Sequence, residues 1–376
     1  MKNAKHKIKS KIKSSTLNNF DRNIINMFNS YLNHKEKRAL IMCSKYLNKV
    51  IGHNYFANKT INVKNIKRHE LRYLRHKYNL SLNVKKINNL FDLAHLNSLN
   101  INSIKFSQGF NCLYSEYFIP ITTKSITFGR SFNQEFSENI LPISLTELNY
   151  GEKYDREIKK NTLPISLKKL NFDDDFNCPI KEKSLPTLLE SLKFTYTFNQ
   201  LFLENSLPKT LKKLELGYCY NKNIFENVLP MTLQVLKFNY HFNKRIGEKI
   251  LPASLTVLEF GNEFNWKIKA NVLPQSLKIL TFGNNFNKPL DKNILPALLE
   301  HITFGNKFDQ PLDIDILPQS LTHLTLGKFF NDSIIFPYNL KYLTFTGNYC
   351  TLNKNILPLI PEDSNIEVIH NESIRY

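Results

Sequence analysis

Leucine, proline and phenylalanine recur along this chain at a fixed separation. Pro120, Pro142, Pro164, Pro186, Pro208, Pro230, Pro252, Pro274, Pro296 and Pro318 are each 22 residues apart, and Pro337 and Pro358 continue the series at spacings of 19 and 21. Residues 97 to 118 lack the proline but align through Ile101, Ile104, Phe106, Phe110 and Asn111. A period of this length is the signature of stacked units, each burying an apolar face it cannot cover alone. One unit, Leu251 to Val272, reads LPASLTVLEFGNEFNWKIKANV. Its proline, with fixed φ and no N–H, marks the corner that leads into a strand. The following LxxLxF run turns Leu255, Leu258 and Phe260 inward and the residues between them outward. A glycine, as at Gly129, Gly151, Gly261 or Gly305, with Asp173 and Asn239 elsewhere in that position, is expected to take φ > 0 and end the strand. The aromatic–Asn pairs that follow, such as Phe264-Asn265 and Phe286-Asn287, predict an aromatic spine in the core and an asparagine ladder satisfying backbone groups in the turns. About twelve such units span residues 97–358, a solenoid of stacked strand-bearing repeats.

Upstream of the repeats the pattern changes to helical spacing. Ile24, Ile25, Phe28 and Leu32 form one apolar stripe, and Leu40, Cys43, Leu47 and Val50 another. Residues 17–60 therefore predict a small all-α module. Residues 1–16 read as a basic disordered arm, 61–96 as a basic linker or cap of helical or irregular structure, and 359–376 as a C-terminal tail or cap.

Charge sharpens this division. Residues 1–90 hold 21 lysines and arginines against 3 acidic residues, a net of +18, which leaves +1 of the total +19 for the rest. The solenoid is thus no polyelectrolyte-binding surface by net charge, and nucleic acid is disfavoured as a partner. Lys2, Lys5, Lys7, Lys9, Lys11 and Lys13 keep binding by the basic arm as a third reading, which a steep salt dependence would reveal. The hydrophobic share of 42% suffices for a core, yet no apolar stretch approaches a membrane span or a signal peptide. Five cysteines with no CxxC pair offer neither a disulfide framework nor a zinc site, so reduced thiols and an intracellular setting, cytoplasm or nucleus, are expected.

Candidate chemistry adds little. The recurring residues Leu, Pro, Phe, Gly and Asn supply no general acid, base or nucleophile, and no GxSxG, HExxH, P-loop or GxGxxG motif occurs. No catalytic residue, metal or cofactor is expected. His301 and His323 stack one unit apart and read as surface polar neighbours rather than ligands.

The unit LPxSLxxLxFGxxFNxxI resembles the FNIP repeat, a leucine-rich-repeat-like family of social amoebae and of giant viruses that infect amoebae. The resemblance implies a curved parallel β-solenoid that serves as a protein-interaction surface. Asn19 to Ile51 is similar to an F-box, with Cys43-Ser44-Lys45-Tyr46 in place of the usual Cys-Lys-Arg-Trp and Asn19-Phe20 in place of the opening Leu-Pro. That second resemblance implies docking on a Skp-type adaptor through Ile24, Ile25, Phe28, Leu32, Leu40 and Tyr46. Together the two imply the substrate-recognition subunit of a cullin-type ubiquitin ligase, in a host cell if the chain is viral. The alternative is a scaffold or sequestering protein whose N-terminal helices only cap the solenoid.

The register also lists the outward residues of the sheet. One column reads Ser103, Ser125, Glu147, Lys169, Ser191 and Lys213, then Val235, Val257, Ile279, His301, His323 and Tyr342. The second runs from Lys105 through Glu259 and then reads Thr281, Thr303, Thr325 and Thr344. Strand propensity alone favours Val, Ile and Thr but predicts no segregation. The apolar half is therefore expected to be the centre of the partner-binding face.

Overall fold

The computed structural model describes residues 60–62, 80–84, 101–111, 119–346, 360 and 365–371. Its strands are β1 (Thr60–Asn62), β2 (Leu80–Val84), β3 (Ile101–Phe106), β4 (Ser125–Thr127), β5 (Glu147–Asn149), β6 (Lys169–Phe172), β7 (Ser191–Phe194), β8 (Lys213–Glu215), β9 (Val235–Lys237), β10 (Val257–Glu259), β11 (Ile279–Thr281), β12 (His301–Thr303), β13 (His323–Leu326), β14 (Tyr342–Thr346) and β15 (Glu367–Asn371). All fifteen join in one sheet in chain order. Every pairing is parallel, and from β3 to β13 each residue faces the one 22 positions later, as Val257 faces Ile279. Each coil thus returns to its start one layer on, which gives a parallel β-solenoid of about 11 turns.

Two expectations are corrected here. No described residue is helical, so the combination of an all-α N-terminal module with a solenoid is not what the structure shows; residues 17–59 lie outside the described residues. The segment 61–96, expected to be helical or irregular, instead contributes β2, and β1 ends within it. Leu80-Ser81-Leu82-Asn83-Val84 alternates apolar and polar residues at strand period, and its pairing with β3 carries a register shift between Leu80 and Ser81.

The core repeats with the sequence. In the layer of β10, Leu251, Leu255, Leu258, Phe260, Phe264, Ile268 and Val272 are all buried. Face-stacked ring pairs form within a layer, with Phe260 and Phe264 centroids 4.0 Å apart and Phe282 and Phe286 3.9 Å apart. Between layers the second ring of each pair continues as a column, Phe242 to Phe264 at 6.2 Å and Phe264 to Phe286 at 6.1 Å.

Three ladders close the corners between strands. The asparagine ladder is as the sequence predicts: the backbone N–H of Asn243 donates to Asn221 Oδ1 at 3.0 Å, that of Asn265 to Asn243 at 3.2 Å and that of Asn287 to Asn265 at 3.0 Å. Hydroxyls build the second. Ser254 Oγ donates to the Leu233 carbonyl and Ser276 Oγ to that of Leu255, each at 2.7 Å, which gives the serine of LPxSL its purpose. The proline two positions earlier opens a tight turn, with Leu255 N–H donating to Pro252 O at 3.1 Å. The third corner is left-handed: Asn139, Asn161, Lys183, Asn205, Asn227, Lys249, Asn271, Asn293 and Asp315 have φ of 60 to 67°. Asparagine and aspartate tolerate that conformation better than most residues.

The glycines were expected to supply positive φ, and they do not. Their reason is close approach: a Cβ on Gly283 would lie 2.1 Å from the Gly261 carbonyl oxygen, and one on Gly305 2.2 Å from that of Gly283. Stacked backbone leaves no room there for a side chain.

Candidate partner-binding face

Short strands hold one inward residue between two outward ones, so Leu258 is fully buried while Val257 and Glu259 on either side are half-buried. Parallel register then stacks equivalent side chains. Val235, Val257, Ile279, His301, His323 and Tyr342 lie on consecutive strands β9 to β14 as direct partners. Thr281, Thr303, Thr325 and Thr344 form the adjoining column. Ile279 is exposed, at 38%, and the others are half-buried. At the C-terminal end the column becomes a ring stack, with His301 to His323 centroids at 3.9 Å and His323 to Tyr342 at 4.5 Å. Thr322 Oγ1 lies 2.8 Å from His323 Nδ1. Burial, with the charges of His301 and Lys341, holds the His323 imidazole below the usual histidine range, so it is neutral near pH 7.

Ring spacings fix which side of the sheet is concave. Neighbouring strands sit roughly 4.8 Å apart. The rings outside the sheet stack at 3.9 and 4.5 Å, whereas the buried column beyond the strands repeats at 5.9 to 6.3 Å. Layers that converge on the outward face and diverge behind it make that face the inside of the curve.

The other half of the face is cross-linked to itself. Glu215 is bridged by Lys213 and by Lys193, the latter at 3.3 Å, and the ion pairs run on beside Val235 and Val257, where Lys237 of β9 meets Glu259 of β10 at 2.6 Å. Asn149 Nδ2 donates to Thr127 Oγ1 at 3.2 Å, and Asn171 Nδ2 donates to Asn149 Oδ1. No such bonds join the hydroxyls of Thr281, Thr303, Thr325 and Thr344 to protein groups among the described residues.

Elsewhere the surface offers little chemistry. An open groove of about 460 Å³ is lined by Asn243, Glu263, Asn265, Asn285, Asn287 and Lys307, and the carbonyl oxygens of its Asn243, Asn265 and Asn287 side chains are engaged in the asparagine ladder. No group of three His, Cys, Asp or Glu is placed to hold a metal among the described residues. The Cys178 thiol is pushed up to about 11 by burial and by the adjoining Asp155 carboxylate, which leaves it a poor nucleophile. No helix among the described residues is long and apolar enough to cross a membrane.

One feature escaped the sequence reading. Tyr196, Tyr218 and Tyr240 stack face to face at 5.0 and 4.7 Å beside the strand ends, in the column two residues past the strand phenylalanine. Their 22-residue spacing was the available signal.

The repeat geometry agrees with comparison to known proteins. The profile of the FNIP repeat matches residues 116–153, 154–197, 179–219, 220–263, 242–285, 264–307 and 286–329. The chain belongs to the FNIP repeat family. Among solved structures, CroV588, described as a novel circular leucine-rich-repeat protein of the giant virus CroV, is 41% identical with a TM-score of 0.66. That likeness covers 74% of this FNIP chain and 42% of CroV588, so the chain spans less than half the length of that relative. YopM of Yersinia enterocolitica is 18% identical over 73% of this chain and 62% of its own, with a TM-score of 0.44. An internalin of Listeria monocytogenes is 17% identical over 82% and 85%, with a TM-score of 0.45. No curated protein matches. The adaptor-binding residues expected from the F-box resemblance, Ile24, Ile25, Phe28, Leu32, Leu40 and Tyr46, lie outside the described residues.

Proposed function

We propose that this FNIP-repeat chain is a protein-binding adaptor whose concave sheet face holds a target protein, centred on Val235, Val257, Ile279, His301, His323 and Tyr342. One observation carries the reading: six consecutive strands present apolar or aromatic side chains in register, half-buried or, at Ile279, exposed, and on the last four, β11 to β14, the neighbouring column is threonine hydroxyls with no protein partner among the described residues. A contiguous patch of this kind is rarely kept by a soluble chain without a use. Large rings and an isoleucine at its middle and end are the side chains that anchor interfaces, with Ile279 and Tyr342 foremost. Kinship with a circular repeat protein supports the curvature that would wrap a partner.

The test is capture of the partner by the full chain. Ile279→Glu and Tyr342→Glu are expected to abolish capture while leaving the melting temperature nearly unchanged. Loss of capture in Ser125→Glu and Ser191→Glu instead would assign binding to the charged half.

The finer reading is that the target is presented to a cullin-type ubiquitin ligase, with the N-terminal segment meeting a Skp-type adaptor. It rests on the F-box resemblance of residues 19–51. Co-purification of the full chain with a Skp adaptor tests it. If none binds, the alternative of a non-ligase scaffold stands.

A further inference from the structure

The tyrosine row lies beside the concave face and has an open end. Tyr196 stacks on Tyr218 with an interplanar angle of 12°, and Tyr218 on Tyr240 with 15°. His241 sets its ring edge-on to both Tyr218 and Tyr240, at 4.9 and 5.0 Å, and pairs with Glu263 at 3.0 Å, which fixes the stack from one side. Tyr196 is the terminal ring and is 47% exposed. Its free face points down the column, toward the position held one layer earlier by Asp174.

That layer is acidic in a particular way. Arg130 pairs with Glu152 at 2.6 Å and Lys153 with Asp175 at 3.1 Å. Asp173 and Asp174, between those two acids in sequence, form no ion pair among the described residues. Thr195 Oγ1 lies 3.2 Å from Asp173 Oδ1 and 3.0 Å from Asp174 Oδ1, so its one proton can go to either carboxylate and both sit beside Tyr196. Burial first, then the charges of Asp174 and Glu152, raise the Asp173 carboxyl above its usual range.

An exposed aromatic face opposite two uncompensated carboxylates is a niche for a flat cation. A guanidinium stacks on a tyrosine face and accepts carboxylates along its edge, which a compact ammonium does less well. From Asp174 to Tyr240 the column runs three layers, roughly 14 Å, the length of about four extended residues. We infer that the Tyr196–Tyr218–Tyr240 row with Asp173 and Asp174 docks an extended, arginine-bearing segment of the partner protein, the guanidinium seated between Tyr196 and the carboxylate pair. This inference rests on the protein-binding reading and names a second contact beside the concave face.

The full chain is titrated with a fluorescent peptide of alternating arginine and glycine at low salt, and binding is read by anisotropy. Because the chain carries a net +19, a basic peptide that binds does so through local chemistry. Saturable binding is expected, weakened about ten-fold by Asp174→Asn and by Tyr196→Leu. Tyr196→Phe, which keeps the ring, should bind as the parent does, and a peptide with citrulline for arginine should not bind. Ile279→Glu, which damages the concave patch, should leave peptide binding unchanged, so the two contacts fail separately. Absent binding, equal binding of the citrulline peptide, or binding that survives both Asp174→Asn and Tyr196→Leu overturns the inference. Should Tyr196→Leu lower the melting temperature, Asp174→Asn alone decides, because it removes charge and leaves the ring stack intact.

Discussion

The two halves of the outward sheet face stand on one core and differ only in what they show to solvent. On β4 to β8 the outward side chains are tied to one another by Lys–Glu pairs and amide bonds within and across the strands. On β9 to β14 the main column is Val, Val, Ile, His, His and Tyr, and its neighbours are the Lys237–Glu259 pair on β9 and β10 and threonines on β11 to β14. Leu170 and Leu280 beneath them are equally buried. A repeat fold fixes its backbone through inward and corner residues and leaves the outward columns free to vary. The charged half satisfies its own polar groups, whereas the threonine hydroxyls of the apolar half have no protein partner among the described residues, which is the basis of the binding proposal. Curvature adds to this, because the apolar rings lie where the layers converge and a bound surface would be held from both sides.

The largest expected effect tests whether the core is indifferent to that division. Phe172→Ala under the charged half and Phe282→Ala under the apolar half should each cost about 3 to 5 kcal/mol in denaturant unfolding, since both rings are 1% exposed and flanked by stacked neighbours. A difference larger than about 1 kcal/mol between them would show that the halves differ below the surface too. Next in size is the glycine corner. Gly261, Gly283, Gly305 and Gly327 hold this position from β10 to β13, while Asp173 and Thr195 hold it at β6 and β7 and Asn239 at β9. Gly283→Ala, with a Cβ 2.1 Å from a carbonyl oxygen, should destabilise by about 1 to 3 kcal/mol. Asp173→Gly should change stability far less, because the backbone there already accommodates a side chain.

Most of the solenoid was legible in sequence because the 22-residue register is strict. Once Leu258 and Phe260 are inward, Val257 and Glu259 must be outward, and parallel pairing then lists both columns. The asparagine ladder followed from the need to satisfy corner N–H groups. What was misread is local backbone geometry. A recurrent glycine serves positive φ and close packing equally well in sequence, and here it serves packing, while the left-handed corner falls to Asn139, Lys183 and their equivalents. The lysines at Lys183 and Lys249 hid that column. Strands β1 and β2 were missed because Thr60-Ile61-Asn62 and Leu80 to Val84 carry none of the proline, glycine or Phe-Asn markers. For the proposed binding face, the register shows which residues point outward but not whether or what they bind, since nothing in a column of Val, Ile and Thr encodes what covers it.

Tyr220 marks the seam between the halves and allows a gain rather than a loss. It lies in the layer of β8, where Leu216 replaces the usual strand aromatic, and stacks between Phe198 and Phe242 at 6.1 and 6.2 Å. Its hydroxyl is buried with no hydrogen-bond partner among the described residues. Burial alone pushes its ionisation well above the usual tyrosine range, which agrees with an unsolvated hydroxyl. Tyr220→Phe should therefore stabilise by about 1 kcal/mol in the same unfolding assay, since an unsatisfied group is removed and the ring stays. A loss would mean that the hydroxyl is satisfied and the seam is as well packed as the layers beside it.

The smallest effect separates the halves by pH. His323 is stacked between His301 and Tyr342, with Thr322 bonded to its ring and Lys341 as the nearest fixed cation. Burial, then the charges of His301 and Lys341, lower its folded-state value below the roughly 6.5 of an unfolded histidine. Between those two values the unfolded chain binds more protons, so its contribution is fully present above about pH 6.5 and is lost as pH falls through that range. Glu215 behaves otherwise. Burial raises its carboxyl, but the Lys213 hydrogen bond and the charges of Lys193 and Lys213 outweigh burial and leave it lowered. Its contribution is present above the unfolded glutamate value of about 4.3 and is lost only below it. Acidification from about pH 7 to about pH 5 should therefore loosen β12 to β14 while β7 and β8 keep their protection. Amide hydrogen exchange, corrected for its intrinsic pH dependence, reads this strand by strand. The shift should be slight because the His323 ring is only half-buried, and His323→Gln should remove it. Equal loosening of both regions in that window would show that the imidazole stack does not set the response of the apolar half.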